Sequence, residues 1–412
     1  MHASRGTPVG PLLHRWLRRA CPAIHAVRAT AVVTVVEALV LGAKLALTQL
    51  GRNVRSTAYP KHSIKRVDRL LGNRHLHAER SLIYQAVAHW LLAATPRPVL
   101  LIDWADCGSR EKGKKKGRWL LLRAAVPLGG RAVPIYEEVH PLRRYNSPRT
   151  HRSFLQHLRA VLPVRCSPIL ITDAGFRGPW FREVERYGWD WIGRIRNQVK
   201  YRFASEGNGG SWAYAKALYA AATPTPRHLG HAWLARRQSY ECELYLVRQY
   251  KRGPGRPRKA HGRGSAARRC RQLHKDPWLL ATSLRHTSGA ARRVVKFYAL
   301  RMKIEEGIRD TKNTRWGFAL RDARSRRAER MEVLLLLAAL GTLACWLAGL
   351  AAEARAWGRH FQANTVRKRV VLSTVFIGRA LLTSLRFRLR CRDLRNALIE
   401  LPALVASFAT AP

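Results

Sequence analysis

The chain has 412 residues, with 76 Lys and Arg against 25 Asp and Glu, for a net charge of +51. At 47% hydrophobic residues and 13 Trp it is no disordered basic tail. Its length suggests about two to three domains, and its charge calls for a polyanionic partner, nucleic acid first and an anionic membrane surface second. The seven cysteines are scattered, with no C-x-x-C and no paired Cys/His spacing. This excludes a zinc finger and a disulfide framework and fits a reducing compartment. Neither G-x(4)-G-K-[ST] nor H-E-x-x-H occurs, and the N-terminus lacks the apolar run of a signal peptide.

In chain order, residues 1–95 read as helical and basic. Over 57–92 apolar and basic positions alternate at helical spacing, with a break at Gly72–Asn73. Such a helical pair would present Lys61, Lys65, Arg66, Arg69 and Arg74 to DNA, or simply to solvent. Residues 31–50, with Glu37 and Lys44, read as an ordinary amphipathic helix. From Pro98 the period changes. PVLLID (98–103) is a short apolar run ending in an acid, and 118–127 and 131–139 read as a hairpin joined at Gly129–Gly130. Helix 150–162, strand PILITD (168–173), helix 179–187 and strand 190–195 follow. That order is the order of a ribonuclease-H-like core, an α/β fold with a mixed sheet and helices on its faces. Residues about 197–285 break the pattern and read as a β-rich insertion. One long helix is expected over about 290–311. Segment 333–352 has 20 residues without a charge. It is long enough to cross a bilayer, but the basic sequence on both sides favours a helix buried in a large core. The expected division is a helical DNA-binding domain (1–95), a catalytic domain (96–330) carrying the insertion, and a helical C-terminal region (331–412).

Acids are scarce, so their placement is informative. Asp103 and Asp173 close two runs of the same shape, each with Pro five residues earlier. If those strands lie side by side and parallel, both carboxylates emerge at one sheet edge, where ligands of open α/β sheets bind. Two hard oxygen ligands there suit Mg²⁺ or Mn²⁺; an Asp that merely caps a strand-to-turn transition is the bland alternative. Asp106 is a nearby competitor, expected in the following loop. In YALRMKIEEGIRDTK, Tyr298, Arg301, Glu305 and Lys312 are spaced by 3, 4 and 7, which places them on one helical face. Glu305 would add a third carboxylate, Arg301 can grip a phosphate through two N–H bonds, and Lys312 adds a point charge. An exposed face with an Arg301–Glu305 ion pair would have the same spacing.

This stripe reproduces the Y-x(2)-R-x(3)-E-x(6)-K signature and resembles the bacterial DDE transposases of insertion-sequence family four. LIDWAD (101–106), ITDAGFRGPWF (171–181), KHSIKRVDRLLGNRHLHAER (61–80) and HFQANTVRKRVVLSTV (360–375) resemble the insertion-sequence-ten branch of that family over roughly residues 45–400. The resemblance implies a cut-and-paste transposase in which Asp103, Asp173 and Glu305 are the catalytic triad and hold two Mg²⁺ ions, with Mn²⁺ as a substitute. It implies end nicking, hairpin formation, hairpin opening and strand transfer, with Tyr298, Arg301 and Lys312 on DNA phosphates. Trp278 resembles the family's base-stacking Trp, or is a core Trp at the start of a strand. Partners implied are transposon-end DNA with its terminal inverted repeats, target DNA and a second subunit in a synaptic homodimer, with no membrane, in the bacterial cytoplasm. Segment 251–271, with nine Lys and Arg, departs from the family. Its Arg256, Arg258 and Lys259 form either a flexible basic loop on phosphates, the simpler reading, or a minor-groove hook. Loop 111–118 and the Arg-rich segment 386–395 are further candidate DNA contacts. An inactive, DNA-binding relative is the alternative function.

Overall fold

The computed structural model describes residues 8–107, 119–207, 210–248, 276–362, 371–384 and 386–409. Loop 111–118 and the 251–271 segment, with Arg256, Arg258 and Lys259, lie outside the described residues. The chain is mixed α/β and divides into two compact units, the first from Met1–Cys166 and Met302–Thr410, the second from Ser167–Arg301.

The first unit opens with five helices: α1 (Val9–Ala20), α2 (Ala26–Val40), α3 (Leu47–Asn53), α4 (Pro60–Leu71) and α5 (Arg74–Leu92). The break anticipated at Gly72–Asn73 separates α4 from α5. Asn73 N-caps α5, its Oδ1 accepting from Leu76 N at 3.0 Å. Segment 31–50 is not one amphipathic helix. The chain leaves the helix at Leu41–Gly42, where Gly42 has φ +114°, and α2 buries most of its circumference, Val32, Val33, Val35, Val36, Leu39 and Val40 included.

Strands β1 (Val99–Asp106), β2 (Trp119–Leu128) and β3 (Arg131–Pro141) then form an antiparallel meander in the order β3-β2-β1. Gly129, at φ +45°, makes the tight β2–β3 turn that a β-carbon would strain. Helix α6 (Pro148–Val161) packs against α5 and β3. Between β3 and α6 sits a buried carboxylate, Glu138, which accepts from His140 Nε2 at 2.8 Å, His157 Nδ1 at 2.7 Å and the Tyr136 hydroxyl at 2.9 Å. Burial alone would raise the Glu138 pKa, but the hydrogen bonds from the two imidazoles outweigh it and hold it at about 2. His157 is raised by the same hydrogen bond. The Glu138 contribution is complete above the free value of 4.5 and is lost as pH falls from there through about 2. The His157 contribution is complete below 6.5 and is lost as pH rises through its raised value. The urea midpoint of wild type minus that of Glu138→Gln should therefore peak between these limits and shrink on either side; a difference flat with pH would remove the cluster from the stability balance.

After the second unit, the first resumes with α9 (Met302–Lys312), α10 (Ala328–Ala354), α11 (Thr374–Thr383) and α12 (Cys391–Ala409); α8 belongs to the second unit. The apolar segment is the core of α10. By length and composition α10 could cross a membrane, yet 94% of its most apolar window is buried inside the protein, against α2, β3, α11 and α12. Where α10 meets α11, a β-carbon at Gly378 would overlap the Cys345 carbonyl, and one at Gly349 the Thr374 carbonyl. The two backbones touch with no space for side chains. Gly378→Ala is expected to cost about 1–3 kcal/mol through overpacking, read as a lower melting temperature, whereas the same change at exposed Gly72, whose φ is −97° and where a β-carbon meets only ordinary contacts, should not.

The second unit orders its strands as β4 (Ile169–Thr172), β5 (Asp190–Ile195), β10 (Trp278–Thr282), β9 (Tyr240–Val247), β8 (Arg227–Leu234), β6 (Lys200–Phe203) and β7 (Ala213–Tyr214). β4 and β5 are parallel, and the other pairs are antiparallel. α7 (Gly178–Arg186) and α8 (Ala290–Ala299) cover β5. Phe181 stacks on Trp191 at 4.0 Å in the core.

The expected single helix over 290–311 is two. At Leu300 and Arg301 the amides bond to Phe297 and Tyr298, three residues back at 3.0 Å each, rather than four. The ladder tightens there, and α9 begins at Met302. The four signature residues therefore do not share one continuous helical face: Tyr298 and Arg301 belong to the second unit, Glu305 and Lys312 to the first.

Six cysteines are described and free. Cys21, Cys107, Cys166, Cys242 and Cys345 are buried, and Cys391 is exposed. Burial pushes the Cys21 thiol up to about 11 and those of Cys107, Cys166 and Cys345 to about 12.

Candidate active site

In the first unit, Asp103 lies within β1 rather than at its end. The strand runs three residues further, so Asp106 closes β1 instead of sitting in a loop. Asp103 is buried and stands directly across from Arg123 on β2, and Arg123 across from Glu137 on β3. Side chains at such paired positions leave the same face of the sheet. Arg123 and Glu137 form a fully buried ion pair at 2.7 Å, and the Tyr84 hydroxyl of α5 donates to the other Glu137 oxygen at 2.9 Å. Helix α9 covers this face: a β-carbon at Gly307 would stand 4.0 Å from the Arg123 guanidinium.

Glu305 is in the first turn of α9 and Lys312 in the last. Their spacing of seven puts them on one side of the helix, and with Arg309, Asn313 and Arg321 they line a cavity of about 360 Å³. Burial lowers the Lys312 pKa, and the nearby Asp106 carboxylate works against that shift. The structure thus gives Asp106 a place, as the acid beside the signature lysine.

In the second unit, Asp173 follows β4 directly. Its Oδ1 accepts from Gly175 N at 2.8 Å, the Asx turn of a strand-to-loop transition. Tyr298 is buried, and burial raises its pKa; among its charged neighbours are Arg301, Arg194, Asp173 and Arg196. The Arg301 guanidinium lies 6.0 Å from the Tyr298 ring centre, and Trp278 meets that ring edge-on at 4.9 Å. Arg194, on β5, donates to the Asp276 and Pro277 carbonyls beside Trp278. The expected Asp173, Tyr298, Arg301 and Trp278 are therefore gathered in one place. Arg194 and Arg196 join them without having been anticipated; their signal was two Arg at period two in GRIRN, closing an apolar strand.

Lys61, Lys65, Arg66 and Arg69 are exposed on α4, Arg74 is exposed at the start of α5, and Arg386, Arg388, Arg390, Arg392 and Arg395 are exposed about the start of α12.

Among the described residues, no three His, Cys, Asp or Glu side chains stand together as a metal-binding group. The three expected carboxylates divide between the units, Asp103 and Glu305 in the first and Asp173 in the second. Their donor chemistry, hard anionic oxygens without sulfur or imidazole, is that of a Mg²⁺ or Mn²⁺ ligand set.

Residues 94–341 match the family model of the Transposase DDE domain. The match covers more than half of the chain and includes all three carboxylates. No curated protein matches the chain.

Proposed function

The chain belongs to the DDE transposase family, and from that premise we propose that it is a cut-and-paste DNA transposase of the insertion-sequence-four type, closest to the insertion-sequence-ten branch. The observation that supports this reading is the company each carboxylate keeps. Glu305 shares a cavity with Lys312, and Asp173, like Arg301, Arg194 and Arg196, acts electrostatically on the buried Tyr298. Carboxylates for a cation beside cationic groups for phosphate are what phosphodiester chemistry requires.

In this reading the catalytic region is a ribonuclease-H-like core interrupted by a β-rich insertion, between helical regions over 1–95 and 331–412 that contact DNA ends. Asp103, Asp173 and Glu305 hold two Mg²⁺ ions, or Mn²⁺ in their place. When bound, those ions supply activation of a water or 3′-hydroxyl and stabilisation of the leaving oxygen. The protein's own residues hold the DNA. Arg301 grips a phosphate with its planar fork, Lys312 neutralises a second, and the Tyr298 hydroxyl donates to a third. Trp278, packed edge-on against Tyr298, offers a face for an unstacked base. Nicking, hairpin formation, hairpin opening and strand transfer are each an in-line attack on phosphorus, so one site serves all four. A homodimer holds two transposon ends with their inverted repeats, and then target DNA, in the bacterial cytoplasm.

The test is a labelled duplex bearing the element's own end, incubated with the protein and Mg²⁺ and run on a denaturing gel. Nicks and slower hairpin products from wild type, absent from Glu305→Ala, are expected. Tight binding without cleavage by either protein, in Mg²⁺ or Mn²⁺, would instead identify an inactive DNA-binding relative.

A further inference from the structure

Beside the Glu305–Lys312 cavity lies a second one, of about 320 Å³, bounded by the end of α9, the turn that follows it, α10 and α11. Arg309 and Asn313 line both. Phe318, Phe376, Val375 and Cys345 give it apolar surface, and Asp310 and Thr342 are among its polar lining. At its rim stands Trp316, 59% exposed, an unusual setting for the largest apolar side chain. The turn that presents it is fixed, since the Asn313 side chain accepts from both Arg315 N (2.8 Å) and Trp316 N (2.9 Å). The Arg315 guanidinium lies 4.9 Å from the Trp316 ring centre, and Phe376 braces that ring at 6.2 Å.

The other notable wall is Arg379. Its guanidinium lies over Phe318 at 5.1 Å and donates to the Trp316 carbonyl at 3.2 Å. Among the described residues it forms no ion pair. The acid nearest in charge, Asp310, is held by Arg131 at 2.5 Å. Burial lowers the Arg379 pKa, and the Asp310 carboxylate, shared with Arg131, offsets that only in part. Among the described residues, only the Trp316 carbonyl accepts a hydrogen bond from Arg379, and its remaining N–H groups are free to meet an acceptor in the cavity.

An exposed indole on a fixed turn, a partly apolar cavity under it and a half-buried guanidinium inside form a receptor for a flat aromatic ring with acceptors on one edge. We propose that this cavity takes a single base of DNA displaced from its stack, the ring lying on Trp316 and its acceptor edge turned to Arg379. Guanine, with O6 and N7 side by side, is the base that an arginine fork fits best. The volume is at the lower end of the roughly 300–1,000 Å³ of small-ligand sites, which suits one base and not a longer segment. The proposal rests on the DNA-processing reading above and adds a second base-accepting residue, separate from Trp278.

The experiment compares binding, without divalent ions, of a fully paired duplex and the same duplex carrying one extrahelical guanine or adenine, read by fluorescence anisotropy. Base-on-aromatic stacking of about 1–3 kcal/mol corresponds to roughly 5- to 150-fold in affinity. Wild type should prefer the bulged duplex by on the order of tenfold and guanine over adenine. Trp316→Ala should lose the preference and keep paired-duplex affinity, Trp316→Phe should keep both, and Arg379→Gln should lose the choice of guanine. Since Trp316 is mostly exposed, Trp316→Ala should melt as wild type does; Arg379→Lys covers the case in which Arg379→Gln does not fold. No bulge preference in wild type, or one that survives in Trp316→Ala, overturns the pocket while leaving DNA binding intact. A wild type that binds neither duplex overturns the pocket and the DNA reading together.

Discussion

Glu137→Gln is expected to destabilise the first unit by about 3–5 kcal/mol, the cost of leaving a buried charge without its partner. Arg123 and Glu137 are 2% and 0% exposed, so water cannot replace the lost carboxylate. The Tyr84 hydroxyl, which donates to Glu137, cannot substitute for an anion. The measurement is urea denaturation combined with hydrogen exchange of the β2 and β3 amides. The double variant Arg123→Met/Glu137→Gln should recover most of the loss, because removing both charges also removes their desolvation cost. A single variant as stable as wild type would show that the pair carries no such cost. A double variant that is stable but slow in DNA cleavage would assign the pair to positioning Asp103, its cross-strand neighbour.

Glu305→Gln should lower DNA cleavage by on the order of 10³-fold or more. In the proposed mechanism Glu305 is a metal ligand, the loss of such a carboxylate forfeits several kcal/mol of charge stabilisation, and each 1.36 kcal/mol is tenfold. Binding of paired duplex should be retained, since a chain of +51 that loses a negative charge does not bind a polyanion less well. Adding Asp103→Asn should cost little more, because residues that act as one unit are not additive. Single-turnover cleavage alongside filter binding separates the two quantities. Undiminished cleavage by Glu305→Gln would remove α9 from the chemistry.

Much of the fold follows from period and punctuation. Strand 190–195 and the Gly129–Gly130 hairpin are legible because apolar runs end at turn residues. The α4–α5 break is legible because glycine and an N-capping asparagine stand together. Less legible is what depends on backbone detail. A regular two-residue hairpin pairing Leu128 with Arg131 would set Arg123 opposite Tyr136. An irregularity between Ala124 and Ala125 sets it opposite Glu137 instead. The extra residue lies beside Pro134, which has no N–H to give the ladder. The buried ion pair behind Asp103 thus owes its existence to a bulge that no spacing rule reveals. The α8–α9 interruption is similar, since a change from four-residue to three-residue hydrogen bonding leaves no mark in composition. Of the site, the spacing of Tyr298, Arg301, Glu305 and Lys312 reads as one helical face, and the interruption at Leu300–Arg301 divides it. Arg194 and Arg196, two charges at period two at the end of an apolar strand, and Trp316, a lone Trp, give no stripe or repeat that marks them in the sequence.

The cysteines give the molecule an uneven chemistry. Thiolate, not thiol, is the nucleophile, and the raised thiols of Cys21, Cys107, Cys166 and Cys345 are almost wholly protonated at neutral pH, besides being enclosed. Among the described residues, an alkylating reagent or an oxidant is thereby directed to Cys391, the first residue of α12, between Arg390 and Arg392. Whatever anion settles on those arginines also shields that sulfur, so the native chain carries a covalent reporter of occupancy on an arginine-rich surface.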